Sequence, residues 1–219
     1  MTQKCVRVEV IAIILLFAPA VVQAGGKAPS QEPWILSCDS IFGREISAAD
    51  LAQRFGATNV RDTLIYLGEG FSERGAVLFP DSSDLKMEIL WADTLAQRMP
   101  RSVRIRGEAS RWRTSEGLAL GLDLQTVERI NRRPFRLMGF AWDYEGTVMS
   151  WGGGQLEAPD SSAYTIRVRF RPDVSAADTA SEMWKWYLQV QGDQEFSSGH
   201  RAMQALNPRV FEVRLDYRR

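Results

Sequence analysis

Two carboxylates, Asp143 and Glu145, stand two residues apart in the run Gly139-Phe140-Ala141-Trp142-Asp143-Tyr144-Glu145-Gly146, and Trp151 follows shortly after. A glycosidase works with a carboxylate pair about 5–9 Å apart, and residues i and i+2 on one side of a strand reach the shorter of those separations. One of the pair must also be held protonated by burial. Glu145 falls where a turn is expected, and a turn carboxylate is normally solvated. Carbohydrate hydrolysis by Asp143 and Glu145 is therefore one reading. In the other, Asp143 serves the hairpin by accepting hydrogen bonds from turn amides or from Ser150.

The same run offers a binding surface. With Glu145-Gly146 as a two-residue turn, Phe140, Trp142, Tyr144, Met149 and Trp151 share one face of a hairpin, because side chains alternate along a strand. Such a wall reads as core beneath a helix. Alternatively Trp142, Asp143 and Trp151 form the contact with a ligand or partner. A second candidate lies in Arg104 and Arg106, which project together from a strand whose Val103 and Ile105 point inward. Paired guanidinium groups bind anionic headgroups or glycans through forked hydrogen bonds. The plainer role is a solvated sheet face whose charges discourage edge pairing.

Other chemistry falls away. His200 is the one histidine, and its neighbours Ser197 and Ser198 read as helix caps rather than nucleophiles. Cysteine, histidine and acidic residues show no metal-ligand spacing. Gly152-Gly153-Gly154 is followed by no lysine, so a phosphate loop is not expected. The sequence thus predicts no metal and no cofactor.

These residues must be positioned by short local elements. Ser47 caps a helix ending at Phe55 before Gly56, and Asp123 caps another carrying Leu124, Val127 and Ile130. Strands are expected at Val60–Leu67, Ala76–Phe79 and Leu85–Trp91, with Pro80–Asp84 as a turn. The hairpin Phe135–Trp151 comes next. Tyr164–Phe170 alternates Ile166, Val168 and Phe170 with Arg167, Arg169 and Arg171, the pattern of a half-buried strand. Met183–Leu188 fits helix or strand, His200–Leu206 fits a helical turn, and Val210–Tyr217 closes the chain as a strand. Arg218 and Arg219 are expected in solvent. The helix-then-strands order occurs twice, which suggests two similar halves, 34–113 and 114–219.

The whole sequence agrees with this picture. Its 219 residues carry 27 basic and 27 acidic side chains, a balance that disfavours nucleic-acid binding. Arginine outnumbers lysine 23 to 4. Residues 1–24 read as a signal peptide: Lys4 and Arg7 precede the apolar run Val10–Ala18, and Val22-Gln23-Ala24 supplies a cleavage site after Ala24. Residues 25–33 form a polar lead-in, and 34–219 one compact unit. Removing the signal also removes Cys5 and leaves Cys38 alone, expected as a buried thiol. Export to the periplasm, with no transmembrane segment in the mature chain, is the expectation.

The run Gly117-Leu118-Ala119-Leu120-Gly121, then Pro134-Phe135, Gly139–Gly146 and Ser150-Trp151-Gly152-Gly153-Gly154-Gln155-Leu156, with Ala205-Leu206-Asn207-Pro208 near the end, resembles a family of uncharacterised exported bacterial proteins. That resemblance implies export and assigns no activity. In architecture the chain is also similar to the β-lactamase inhibitor proteins and the small outer-membrane assembly lipoproteins, which bind proteins through a sheet face. It lacks the lipobox cysteine of the latter and the paired cysteines of the former. The expected fold is α+β, with short helices on antiparallel sheet. The expected function is non-enzymatic binding to an envelope protein or glycan, with the hydrolase as the alternative.

Overall fold

The first helix shows how local sequence builds an element. Ser47 Oγ accepts the Asp50 amide at 3.2 Å while the Asp50 carboxylate accepts the Ser47 amide at 2.8 Å, a reciprocal cap. This holds Asp50 below the usual carboxylate range, chiefly through the Ser47 hydroxyl. Helix α1 runs Ala48–Phe55 and stops at Gly56, where φ is +92°. In α2, Leu124–Asn131, the Asp123 carboxylate accepts the Thr126 amide. Partial burial pushes the Asp123 carboxyl up, but the Thr126 bonds together with the nearby Arg129 and Arg209 charges leave the group below its ordinary value. Two shorter helices follow, α3 at Glu182–Leu188 and α4 at Arg201–Leu206. The Met183–Leu188 stretch, readable as either element, is helical because Ser181 caps it.

The computed structural model describes residues 34–36, 42–175, 177 and 179–218. The expected signal peptide 1–24, the lead-in 25–33, Cys5, Cys38 and Arg219 lie outside the described residues. The described residues form one compact unit.

Among the described residues there are eleven strands, and strand outweighs helix, in keeping with the expected α+β class. The strands are β1 (Trp34–Leu36), β2 (Val60–Gly68), β3 (Phe71–Leu78), β4 (Met87–Asp93), β5 (Arg98–Arg106) and β6 (Trp112–Thr114), then β7 (Arg136–Met138), β8 (Val148–Ser150), β9 (Tyr164–Arg171), β10 (Glu195–Ser197) and β11 (Arg209–Tyr217). Six of them form an antiparallel sheet in the order β2-β3-β4-β5-β11-β9. A three-stranded sheet, β10-β7-β8, and a parallel pair, β1-β6, complete the unit. The second helix-then-strands block therefore divides between sheets: β9 and β11 extend the sheet begun by β2–β5.

One face of the large sheet carries Ala76, Leu78, Met87, Ile89, Val103, Ile105, Ile166, Val168, Phe170, Val213 and Leu215, all buried. Leu51 of α1, Leu124 and Val127 of α2, and Met203 of α4 join the same core. Trp112 lies at its edge, donating its indole N–H to the Leu85 carbonyl at 2.8 Å. Arg218, expected in solvent, is half-buried, and its guanidinium donates to the Pro159 carbonyl at 3.0 Å.

The sheet curls strongly toward its other face. Across the strands, Arg104 aligns with Glu88, then Val77, then Arg61. Yet Arg104 Nη2 donates to the carbonyl of Tyr66, five residues beyond Arg61 on β2, at 2.9 Å. In a flat sheet three strand spacings alone would separate them by about 14 Å. The outer half of the β2–β3 hairpin, which leaves its ladder with β4 at Gly75, must therefore fold over the sheet. Gly75 permits the bend. A Cβ there would stand 2.4 Å from the Ile89 carbonyl oxygen and 2.5 Å from Ile65 Cδ1. The Ile89 oxygen belongs to the ladder and cannot yield. Gly75→Ala should accordingly lower stability by about 1–3 kcal/mol, despite alanine's better strand propensity. Chemical denaturation of the two proteins checks this, and an unchanged midpoint would refute the close approach.

Candidate functional site

The hairpin that carries the expected carboxylates is built differently from its sequence pattern. Arg136 pairs with Ser150 and Leu137 with Val148, so the ladder ends before Phe140 and never brings Phe140 opposite Trp151. From Gly139 to Thr147 the chain forms a wide loop. Its turns are closed by the Glu145 amide on the Trp142 carbonyl and the Thr147 amide on the Tyr144 carbonyl. Ala141 takes φ +68°, a left-handed conformation that breaks the alternation of side chains. The expected aromatic wall does not exist. Phe140 and Trp151 are buried, whereas Trp142 is 56% and Tyr144 65% exposed. Trp151 donates its indole N–H to the Ile166 carbonyl at 3.3 Å and stacks obliquely on Phe135.

The loop is held by backbone contacts. Gly146 donates to the Gly139 carbonyl and accepts the Phe170 amide. A Cβ on Gly146 would overlap the Phe170 carbonyl oxygen, and its φ of +62° suits glycine. Arg169 donates to the carbonyls of Asp143 at 3.1 Å and Glu145 at 3.3 Å. The carboxylate of Asp143, by contrast, is exposed and accepts no hydrogen bond from the described residues. Ser150, its expected donor, instead accepts the Gly152 amide at 3.1 Å. Glu145 is half-buried and accepts the Ala141 amide at 3.4 Å. Asp143 thus serves the loop through its main chain, not through its carboxylate as expected.

The triple-glycine segment is likewise structural. Asn131, fully buried at the end of α2, donates from Nδ2 to the carbonyls of Arg133 (2.9 Å) and Trp151 (2.8 Å) and accepts the Leu156 amide at 3.1 Å. Any side chain on Gly154 would occupy the space of this amide. His200 has a capping role, its Nδ1 accepting the Ala202 amide at 3.2 Å. Among the described residues no cluster has the makings of a metal site.

Arg104 and Arg106 do share the outer face of the sheet, but not as free, solvated cations. Arg104 is 8% exposed. Its Nε donates to Glu88 at 2.7 Å, and Arg106 donates to the other Glu88 oxygen at 3.0 Å. Glu212 lies 3.9 Å from Arg104 on the far side. Around this cluster stand further pairs: Arg101 with Glu73 at 2.7 Å, and Asp216 between Arg167 (2.7 Å) and Arg214 (3.1 Å).

Between the folded-over hairpin and this charged face lies a groove of about 420 Å³. Ile65 and Leu67 of the hairpin and Leu90 of β4 form its apolar wall. Four arginines, 101, 104, 167 and 214, line it against two carboxylates, Glu88 and Asp216. Beside it the hairpin leaves Leu64 (70%), Phe71 (68%), Tyr66 and Leu67 exposed. The alternation Arg167-Val168-Arg169 and Val213-Arg214-Leu215-Asp216 placed the arginines on the sheet's outer face. Nothing local in the sequence indicated that Ile65 and Leu67 would meet them.

Comparison with protein-family models, with curated proteins and with solved structures gives no match for this chain. The division of roles between the two regions is open to direct test. Asn131→Ala strands the Leu156 amide and the Trp151 carbonyl in the interior and should destabilise by about 1–3 kcal/mol. Asp143→Asn should change stability by less than about 0.5 kcal/mol, as surface substitutions do. Equal losses for both in urea titrations would contradict this assignment.

Proposed function

We propose that the protein is an exported, non-enzymatic binding module that contacts an envelope protein or glycan through the outer face of its six-stranded sheet. The observation that carries this reading is the groove beneath the β2–β3 hairpin, with its excess of arginine over carboxylate and its apolar wall. Apolar area of this kind supplies affinity, while the guanidinium groups select negatively charged groups by forked, charge-assisted hydrogen bonds. The exposed Leu67 and Phe71 extend the surface beyond the groove. Clustered exposed apolar residues mark interaction sites on soluble domains.

Export supports the same reading. The signal-like Met1–Ala24 sequence would deliver the mature chain to the envelope, where both protein and glycan partners occur.

The test is retention of partners from an envelope extract by the immobilised mature protein. Arg101→Ser combined with Arg167→Ser removes two half-exposed cations from the groove. Melting should shift little, because exposed ion pairs contribute about 0–1 kcal/mol each. Retention should fall sharply, and salt should weaken the wild-type complex. Asp143→Asn and Glu145→Gln should retain partners normally. The reading is overturned if the arginine variant keeps its partners or if the carboxylate variants lose theirs.

A further inference from the structure

The β2–β3 hairpin carries an unpaired backbone edge beside the groove. Among the described residues, strand β2 ends the six-stranded sheet and pairs with β3 alone. The Phe79 amide donates to the Asn59 carbonyl in the same register, which sets Arg61, Thr63 and Ile65 as the residues bonded to β3. Asp62, Leu64 and Tyr66 therefore turn their amides and carbonyls outward, while the Val60 amide donates to the Ala57 carbonyl. Of these carbonyls, that of Tyr66 takes the Arg104 guanidinium, so this end of the edge adjoins the charged face. Proteins usually blunt such edges with charge or proline. Here the stretch from Thr63 to Gly68 contains neither.

We propose that the occupant of this edge is an extended acidic peptide segment of a partner protein, added to β2 as a further strand. The proposal rests on the binding-module reading above and names its ligand. Backbone pairing with Asp62 and Leu64, and with the amide of Tyr66, supplies the attachment, as in strand addition generally. Side-chain alternation sets the chemistry of the guest. On one side its residues lie with Leu64 and Tyr66, whose exposed surfaces call for apolar partners. On the other they lie with Ile65 and Leu67, toward the groove, where Arg101, Arg104, Arg106, Arg167 and Arg214 stand against Glu73, Glu88, Glu212 and Asp216 and leave one cation in excess. Apolar residues alternating with glutamate or aspartate match both sides. A slip of one residue would reverse every side chain and lose the match.

The experiment uses fluorescence anisotropy on the mature protein with three labelled decapeptides. One alternates valine with glutamate, one alternates valine with lysine, and one repeats the valine–glutamate sequence with alternate backbone amides methylated on each edge. The protein variants are Leu64→Pro and Leu64→Ala. Leu64 directs its amide away from β3, so proline there removes a donor the guest needs without breaking the β2–β3 ladder. Leu64→Ala keeps that donor and shows the effect of losing the side chain alone.

The expected result is binding of the valine–glutamate peptide only, at least tenfold weaker in Leu64→Pro than in Leu64→Ala. Melting curves for the two variants should agree within a few degrees. Equal binding of the methylated peptide would overturn strand addition, and equal binding of the lysine peptide would overturn the acidic preference. A concentration-dependent dimer abolished by Leu64→Pro would make a second copy the occupant and overturn the proposal. If no peptide binds while the Arg101/Arg167 variant still loses its envelope partner, strand addition fails and the sheet-face reading stands. If that variant also keeps its partner, both fail.

Discussion

The guanidinium of Arg104 is the tie on which the shape of the sheet depends. It joins β5 to Glu88 on the neighbouring strand and to the Tyr66 carbonyl on a strand three places away. Both ionised groups are nearly removed from water, and their desolvation is costly. Such a pair adds little net stability over an apolar replacement, but losing one member leaves the other charge buried and unpaired. The pair therefore specifies geometry more than it supplies stability. Arg106 and Glu212 complete the arrangement, so Glu88 is shared by two arginines and Arg104 has a carboxylate on each side. Gly75 contributes the complementary condition: the hairpin folds over only because no side chain separates Ile65 from the β4 backbone.

This constraint accounts for the separation of roles within the molecule. The aromatic- and glycine-rich loop of the second block looks chemically dense in sequence, yet its unusual residues are consumed by the fold. Gly146 admits the Phe170 backbone, Gly154 leaves space for Asn131, and Trp151 fills the core while bonding to β9. The charged outer face has an ordinary composition. What distinguishes it is a set of approaches between strands far apart in the chain, and these create a groove whose cations exceed its anions.

What was legible in the sequence follows from the range of each interaction. Caps at Ser47 and Asp123 act over three residues, so α1 and α2 were readable to within a residue. The alternation in β9 and β11 revealed which residues point inward, and the structure buries Ile166, Val168, Phe170, Val213 and Leu215 accordingly. The hairpin failed at Ala141, where one left-handed residue shifts every side chain that follows. Alternation assumes an unbroken strand, and no pattern of apolar residues announces such a break. Arg104 and Arg106 were correctly placed on one face, but their carboxylate partners come from β4 and β11, 16 residues before Arg104 and further along the chain. Strand order, which the sequence does not spell out, determines whether an arginine is solvated or buried in a pair.

The same logic explains why carboxylates belong on a face that would serve to bind anions. Arginines packed as closely as 104, 106, 167 and 214 would repel one another at low dielectric if left unpaired. Glu88, Glu212 and Asp216 relieve that repulsion; Glu88 and Asp216 each hold two guanidinium groups, and Glu212 lies beside Arg104. A guanidinium has five N–H donors, and a single carboxylate uses only part of the fork. Arg101 and Arg167 are half-exposed at the groove, each with one carboxylate partner. The internal carboxylates thus preorganise the cations without exhausting them. An incoming acidic group meets fixed donors rather than mobile side chains, so less conformational entropy is lost on binding.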